Sequence, residues 1–210
     1  MKKNGVKTIG HIYEFNQMAV KYDTPKNKHM AKRAADAIRN LLDESHKKSA
    51  IDFGCGTGLV GLDLLEDFKS MLFIDASIKM IEQVEKKLAD KNTKKASVLC
   101  LDIEKDAQLP NKVDTIILSL VLHHIQDNHR LLTKFYETLN EDGQLLIIEM
   151  EKQEKDSSDH GHGMDRSALA TTLAGIGYQN IQSDIFYDAK KESDGQEASR
   201  FVLSARKKLN

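Results

Sequence analysis

Ile51-Asp52-Phe53-Gly54-Cys55-Gly56-Thr57-Gly58-Leu59 is the stretch on which the reading of this chain turns. Three glycines alternate directly behind a short apolar run, with an acid inside that run. A strand ending in such a turn lets backbone come close to a ligand where a side chain would block contact. The helix that follows points its free N–H groups at the same spot. The pattern implies a cradle for a bound cofactor, and the residues around it narrow down which one.

Working outward, 49–53 reads as the first strand, 59–68 as a helix and 70–74 as a second strand. Ser77 is placed to cap a helix with Met80, Ile81, Val84 and Leu88 on its apolar face. Segments 96–101 and 113–118 read as the third and fourth strands. Asp127 caps a helix with Leu131, Leu132, Phe135 and Leu139 inward, and Asp142-Gly143 turns into a fifth strand at 144–148. Strands alternating with amphipathic helices predict a parallel α/β sheet. The end of the chain differs. A helix capped by Asp165 and stopped by Gly177 is followed by strands at 181–187 and 201–205 with only a polar loop between them, which predicts an antiparallel hairpin. Before the sheet, 11–26 is a mixed segment, and helical spacing starts at Ala31. The whole chain reads as one domain, 1–210, with a helical lid over 1–45 and a cofactor-binding core over 46–210.

Composition narrows the classes. With 210 residues, 40% apolar and 30% charged, the chain suits a globular domain with a sizeable core. A formal net charge of −1 argues against a dedicated nucleic-acid binder, which carries a basic surplus. Lys86 to Lys95 and the tail Arg206-Lys207-Lys208 are read as solvated faces. Cys55 and Cys100 offer neither a metal spacing nor a disulfide framework, so a reducing cytoplasm is expected. No apolar run approaches the ~20 residues that span a bilayer, and no apolar signal segment follows Met1-Lys2-Lys3-Asn4.

In a doubly wound sheet the ligand lies across the carboxyl ends of the strands. The first strand delivers Asp52 and the glycines, the second ends at Asp75-Ala76-Ser77, and the third at Leu101-Asp102-Ile103. The fourth ends at Ser119-Leu120-Val121, followed by Leu122-His123-His124. Asp75 follows the glycines by about twenty residues, where a carboxylate accepts both hydroxyls of a ribose. Asp102 beside apolar Ile103 suits an adenine. Asp52 has two readings, a contact to a cationic ammonium group or a structural acid that braces the loop.

These stretches resemble the successive motifs of class I S-adenosylmethionine-dependent methyltransferases. They are Asp52 to Gly58, Phe73-Ile74-Asp75-Ala76-Ser77-Ile78-Lys79-Met80, Cys100-Leu101-Asp102-Ile103, Ser119-Leu120-Val121-Leu122-His123-His124-Ile125 and Leu139 to Ile147. The resemblance covers about residues 11–205 and extends to Tyr22-Asp23, similar to the family's small-molecule branch, in which an N-terminal helical segment covers the cofactor. It implies a Rossmann-like, seven-stranded, mostly parallel sheet with helices on both faces. It also implies S-adenosylmethionine as cofactor and S-adenosylhomocysteine as product. Gly54, Gly56 and Gly58 would face the methionine moiety and ribose. Asp75, with Ala76 and Met80 in the same motif, would hold the ribose, Asp102 and Ile103 the adenine, and Ser119 and Leu120 would lie near the sulfonium. Two other readings stand beside it. Gly56-Thr57-Gly58-Leu59-Val60-Gly61 also fits the dinucleotide pattern of an NAD-type oxidoreductase, and a non-catalytic fold-mate would bind the nucleoside without turnover.

The acceptor side is sparser. His124 is the candidate general base, with His123 its neighbour, against a structural role for both in packing the loop. His160-Gly161-His162-Gly163 lacks a further ligand set, so no metal is expected. His160 and His162 are read as acceptor contacts, and Tyr13, Phe15 and Tyr22 as lid residues closing the pocket. No Asn-Pro-Pro-Tyr or Asp-Pro-Pro-Tyr run ends the fourth strand, and no RNA-binding module is appended. The expected partner is therefore a small-molecule methyl acceptor, with neither nucleic acid nor membrane.

Overall fold

Alternating strands and helices are what the computed structural model contains; it describes residues 5–42, 48–105, 108–109, 112–152, 163–192 and 198–209. The chain divides into two compact units, Met1–Asn111 and Lys112–Asn210.

The first unit opens with α1 (Gly5–Met18), a 3-10 turn at Ala19–Lys21 and α2 (Pro25–Arg39). Then come β1 (Ser49–Phe53), α3 (Leu59–Leu64), β2 (Ser70–Asp75), α4 (Ile78–Lys91) and β3 (Ala96–Cys100). β2 pairs in parallel with β1, Ile51 opposite Leu72, and with β3, Asp75 opposite Cys100. Ile51, Phe73 and Ile74 are fully buried, and α4 buries Met80, Ile81 and Val84. The Ser77 hydroxyl accepts from the Met80 N–H at 3.2 Å, as its capping position requires.

The second unit contains β4 (Val113–Ser119), α5 (Asn128–Thr138), β5 (Leu139–Met150), α6 (Arg166–Ile176), β6 (Tyr178–Tyr187), the short α7 (Ala189–Glu192) and β7 (Arg200–Lys207). β4 and β5 are parallel. β7 runs antiparallel to both β5 and β6. The strand order is β3-β2-β1-β4-β5-β7-β6, a seven-stranded mixed sheet. The antiparallel pair is thus present, but its last strand is inserted inside the sheet and β6 takes the edge.

Element boundaries depart from expectation where local chemistry overrides periodicity. α2 begins at Pro25, six residues before the helical spacing of apolar residues: Pro25 occupies the first helical position and the Thr24 hydroxyl accepts from the Asn27 N–H at 3.1 Å. The expected helix 59–68 ends at Leu64 and tightens into a 3-10 turn over Leu65–Asp67. Asp142-Gly143 does turn the chain, with Asp142 at φ 56°, but as a bulge within β5 between the Val113↔Leu139 and Thr115↔Gln144 pairs. β6 starts directly after the left-handed cap Gly177 and carries a second bulge at Asn180, φ 51°.

Candidate functional site

In the first unit, Gly54, Gly56 and Gly58 take φ of 66°, 54° and 78°. Any other L-residue would pay ~1–2 kcal/mol at such a position, so the alternation of glycines is a backbone requirement. The Cys55 N–H donates to the Ile74 carbonyl at 3.0 Å, which ties the loop to β2. At the end of β2 the Asp75 carboxylate accepts from the Gly56 N–H through Oδ2 and from the Ser77 N–H through Oδ1, both at 2.8 Å. Each carboxylate oxygen can accept twice, so the carboxylate keeps accepting capacity for a ligand beyond these backbone donors. Burial pushes the Asp75 pKa up, against the backbone N–H groups that hold it down. A Cβ placed on Gly56 would meet nothing within 4 Å. The space over this glycine is open.

Asp52 lies behind the loop. It is 1% exposed, and its Oδ2 accepts from the Gly61 N–H at 3.1 Å. Burial, with the charge of Asp75 adding to it, pushes its pKa up to about 7. Gly61 has no room for a side chain, since a Cβ there would come within 2.6 Å of the Phe73 ring. Of the two readings of Asp52, bracing α3 against the strand is the one the hydrogen bond carries. Ala76 is half-buried and Met80 lies in the core of α4. Beyond β3, Ile103 is buried and Asp102 pairs with Lys105 at 3.2 Å.

The N-terminal arm is fastened to this same loop. Asn16 of α1 accepts through Oδ1 from the Ser77 hydroxyl at 2.8 Å and from the Lys79 N–H at 3.2 Å. Asp23, between the 3-10 turn and α2, accepts from the Thr57 hydroxyl at 2.5 Å and pairs with Lys87 Nζ at 2.6 Å. Lys87 Nζ also donates to the Thr57 carbonyl at 2.6 Å. Of the expected lid aromatics, Tyr13 is 65% exposed, while Phe15 and Tyr22 are half-buried.

In the second unit, β4 ends at half-buried Ser119 and turns at Leu120, a non-glycine residue at φ 58°. The Leu120 N–H donates to the Ile148 carbonyl at 2.9 Å, and a 3-10 turn over Leu122–His124 follows. Glu149 of β5 is fully buried. Its Oε1 accepts from the Leu122 N–H at 2.7 Å, and its Oε2 lies 2.9 Å from His123 Nδ1. The His123 and His124 rings are 4.0 Å apart. It is therefore His123 that a carboxylate orients, while the expected candidate base, His124, lies tilted beside it.

Lys87 and Glu149 lie outside the motifs read from the sequence, and Asp23 and Thr57 lie within them with no role assigned. A buried acid ending the apolar run Leu145-Leu146-Ile147-Ile148-Glu149 was the one available signal. The lysine-rich stretch is not uniformly a solvated face, because Lys87 is partly buried and holds Asp23. In the tail, Lys207 donates to the Leu139 carbonyl and lies over the Tyr136 ring. His160 and His162 lie outside the described residues. Among the described residues no group of three His, Cys, Asp or Glu could hold a metal, and no helix is long and apolar enough to cross a membrane.

Comparison with known proteins bears on this geometry. Residues 51–145 match the methyltransferase domain family. Over 148 residues the chain is 27% identical to an uncharacterized methyltransferase of Schizosaccharomyces pombe, covering 65% of this chain and 52% of that protein. The chain thus spans about half the length of the curated relatives it matches. In fold it is similar to a SAM-dependent methyltransferase from Aquifex aeolicus, with a TM-score of 0.71, 16% identity and coverage of 91% of this chain and 98% of that one. It is similar also to phosphoethanolamine N-methyltransferase 2 of Haemonchus contortus, solved with S-adenosyl-L-methionine, with a TM-score of 0.71, 13% identity and coverage of 85% and 53%. The ordered motifs, the glycine loop with its neighbouring carboxylate, the mixed seven-stranded sheet and these matches converge on a methyltransferase domain similar to those of the class I S-adenosylmethionine-dependent methyltransferases.

Proposed function

We propose that this chain transfers a methyl group from S-adenosylmethionine to a small-molecule acceptor, leaving S-adenosylhomocysteine. One observation carries the reading: a left-handed glycine loop with open space over Gly56, bracketed by the two-oxygen acceptor Asp75. A nucleoside with a vicinal diol suits that pair. Gly54, Gly56 and Gly58 offer backbone to it, and the Asp75 carboxylate accepts from its hydroxyls. Ala76 and Met80 shape the same strand end. Asp102 and Ile103 supply the acceptor and the apolar surface an adenine needs. Ser119 and Leu120 are assigned to the cofactor as well, and Tyr13, Phe15 and Tyr22 to the lid within a cap over 1–45.

The cofactor supplies a methyl group already activated on a sulfonium, so the protein's share is alignment and exclusion of water. A base is needed only if the acceptor must lose a proton. His123, fixed through Nδ1 by Glu149, and the adjacent His124 are the residues assigned to hold it. A small acceptor is supported by the absence of an Asn-Pro-Pro-Tyr run after β4 and by the phosphoethanolamine chemistry named for a protein of similar fold. His160 and His162 remain assigned to the acceptor. Two free cysteines are consistent with a cytoplasmic setting. Calorimetric titration with S-adenosylmethionine, S-adenosylhomocysteine and NAD tests the reading. Binding of the first two with none of NAD is expected, and tight NAD binding without S-adenosylhomocysteine would overturn it.

A further inference from the structure

We propose that Asp23, Thr57 and Lys87 form a latch that fastens the N-terminal arm to the glycine loop and so sets how fast the bound nucleoside leaves. The proposal rests on the cofactor reading above and goes beyond it to side chains to which no motif assigns a role. Thr57 stands in the middle of the loop, 1% exposed, between two glycines. Both of its polar oxygens are engaged: the hydroxyl donates to Asp23, and the carbonyl accepts from Lys87. Lys87 closes the triangle on Asp23 at 2.6 Å, with the two side chains 28% and 24% exposed. Partial burial shields this pair from salt better than a surface pair.

The neighbouring loop residue reaches the same arm by another route. The Gly56 N–H is held by Asp75, Asp75 holds the Ser77 N–H, and the Ser77 hydroxyl donates to Asn16 of α1. Gly56 and Thr57, adjacent in sequence, are thus each connected to the arm, one through Asn16 and one through Asp23. Withdrawing the arm removes support from the backbone that forms the cradle. A loop of glycines has little stiffness of its own, so bonds supplied from outside it decide how well it keeps its shape.

The test measures two quantities: amide hydrogen exchange over residues 12–24 without ligand, and the S-adenosylhomocysteine dissociation rate by stopped flow. Asp23→Asn and Lys87→Met should each speed exchange in the arm and raise the dissociation rate about tenfold, the equivalent of about 1.4 kcal/mol. Lys86→Met, one residue away and exposed, should change neither. The reversed pair Asp23→Lys with Lys87→Asp should recover part of the loss, because the ion pair is restored in the opposite sense. Unchanged exchange in both single variants would overturn the latch. So would faster exchange with an unaltered dissociation rate, since the arm would then open without touching the cradle. If the wild type binds no S-adenosylhomocysteine, the cofactor reading fails. The exchange arm, which needs no ligand, still tells whether the fastening exists.

Discussion

The loop after β1 and the loop after β4 meet the same problem by opposite means. Both strands end in a left-handed turn. After β1 the turn is made by Gly54, Gly56 and Gly58, whereas after β4 it is made by Leu120. Both loops are braced from behind by a buried strand carboxylate that accepts a backbone N–H, Asp52 from Gly61 and Glu149 from Leu122. Among the described residues Asp52 has that one donor, with a second carboxylate, Asp75, near it. Glu149 has His123 as well. A glycine turn is adopted at no steric cost and leaves room above it. A leucine turn costs on the order of 1–3 kcal/mol and must be held by its surroundings. The first loop is built to admit something close to its backbone, and the second to hold a side chain in a fixed, strained place.

The largest expected consequence lies with the carboxylate that has no cation. Asp52 has a folded pKa of about 7 against an ordinary value of 3.8. The folded state therefore binds more protons than the unfolded chain between those values. The Asp52 contribution to stability is fully present below about pH 4, is lost as pH rises to about 7, and is level above that. The fall should be on the order of 4 kcal/mol. Asp52→Asn, which keeps an acceptor for Gly61, should remove most of this slope and be the more stable protein at pH 8. Urea unfolding at pH 5 and pH 8 checks it, and parallel slopes in both proteins would show that Asp52 is ionised throughout.

On the other side of the comparison, Glu149→Leu keeps the volume and leaves the Leu122 N–H and the His123 ring without their acceptor. A loss of about 2 kcal/mol is expected from the unpaired buried donor. Unlike the Asp52 variant, it should be destabilising at both pH values. A neutral result would mean that the turn after β4 does not depend on its brace. The smallest effect is a gain: Leu120→Gly should relieve the left-handed strain and raise stability by about 1 kcal/mol, read as an increase in melting temperature. A loss there would mean that the leucine side chain packs for more than its backbone costs.

The same contrast explains what was legible in the sequence. Glycines at alternate positions announce the turn, so β1, its loop and the position of Asp75 at the end of β2 could be read residue by residue. β4 was legible as a strand, but nothing marks Leu120 as left-handed, because a leucine carries no turn signal. The start of α2 escaped because its first turns, Lys26-Asn27-Lys28-His29, are polar and show no apolar face, although Thr24-Pro25 is a start signal in its own right. The pairing of Asp23 with Lys87 escaped for another reason. The two meet across more than sixty residues of chain, and a pairing at that separation leaves no periodicity to detect. Lys87 therefore passed as one more lysine on a solvated face.

The central claim is that the open space over Gly56 is where the cofactor sits. Gly56→Val puts a branched side chain into that space and into a left-handed position. Its most direct test is S-adenosylhomocysteine titration of this variant beside the wild type, with thermal melts of both. The account predicts a folded variant, lower in stability by about 1–2 kcal/mol, that no longer binds the nucleoside measurably. A folded Gly56→Val protein that binds S-adenosylhomocysteine as tightly as the wild type would contradict it.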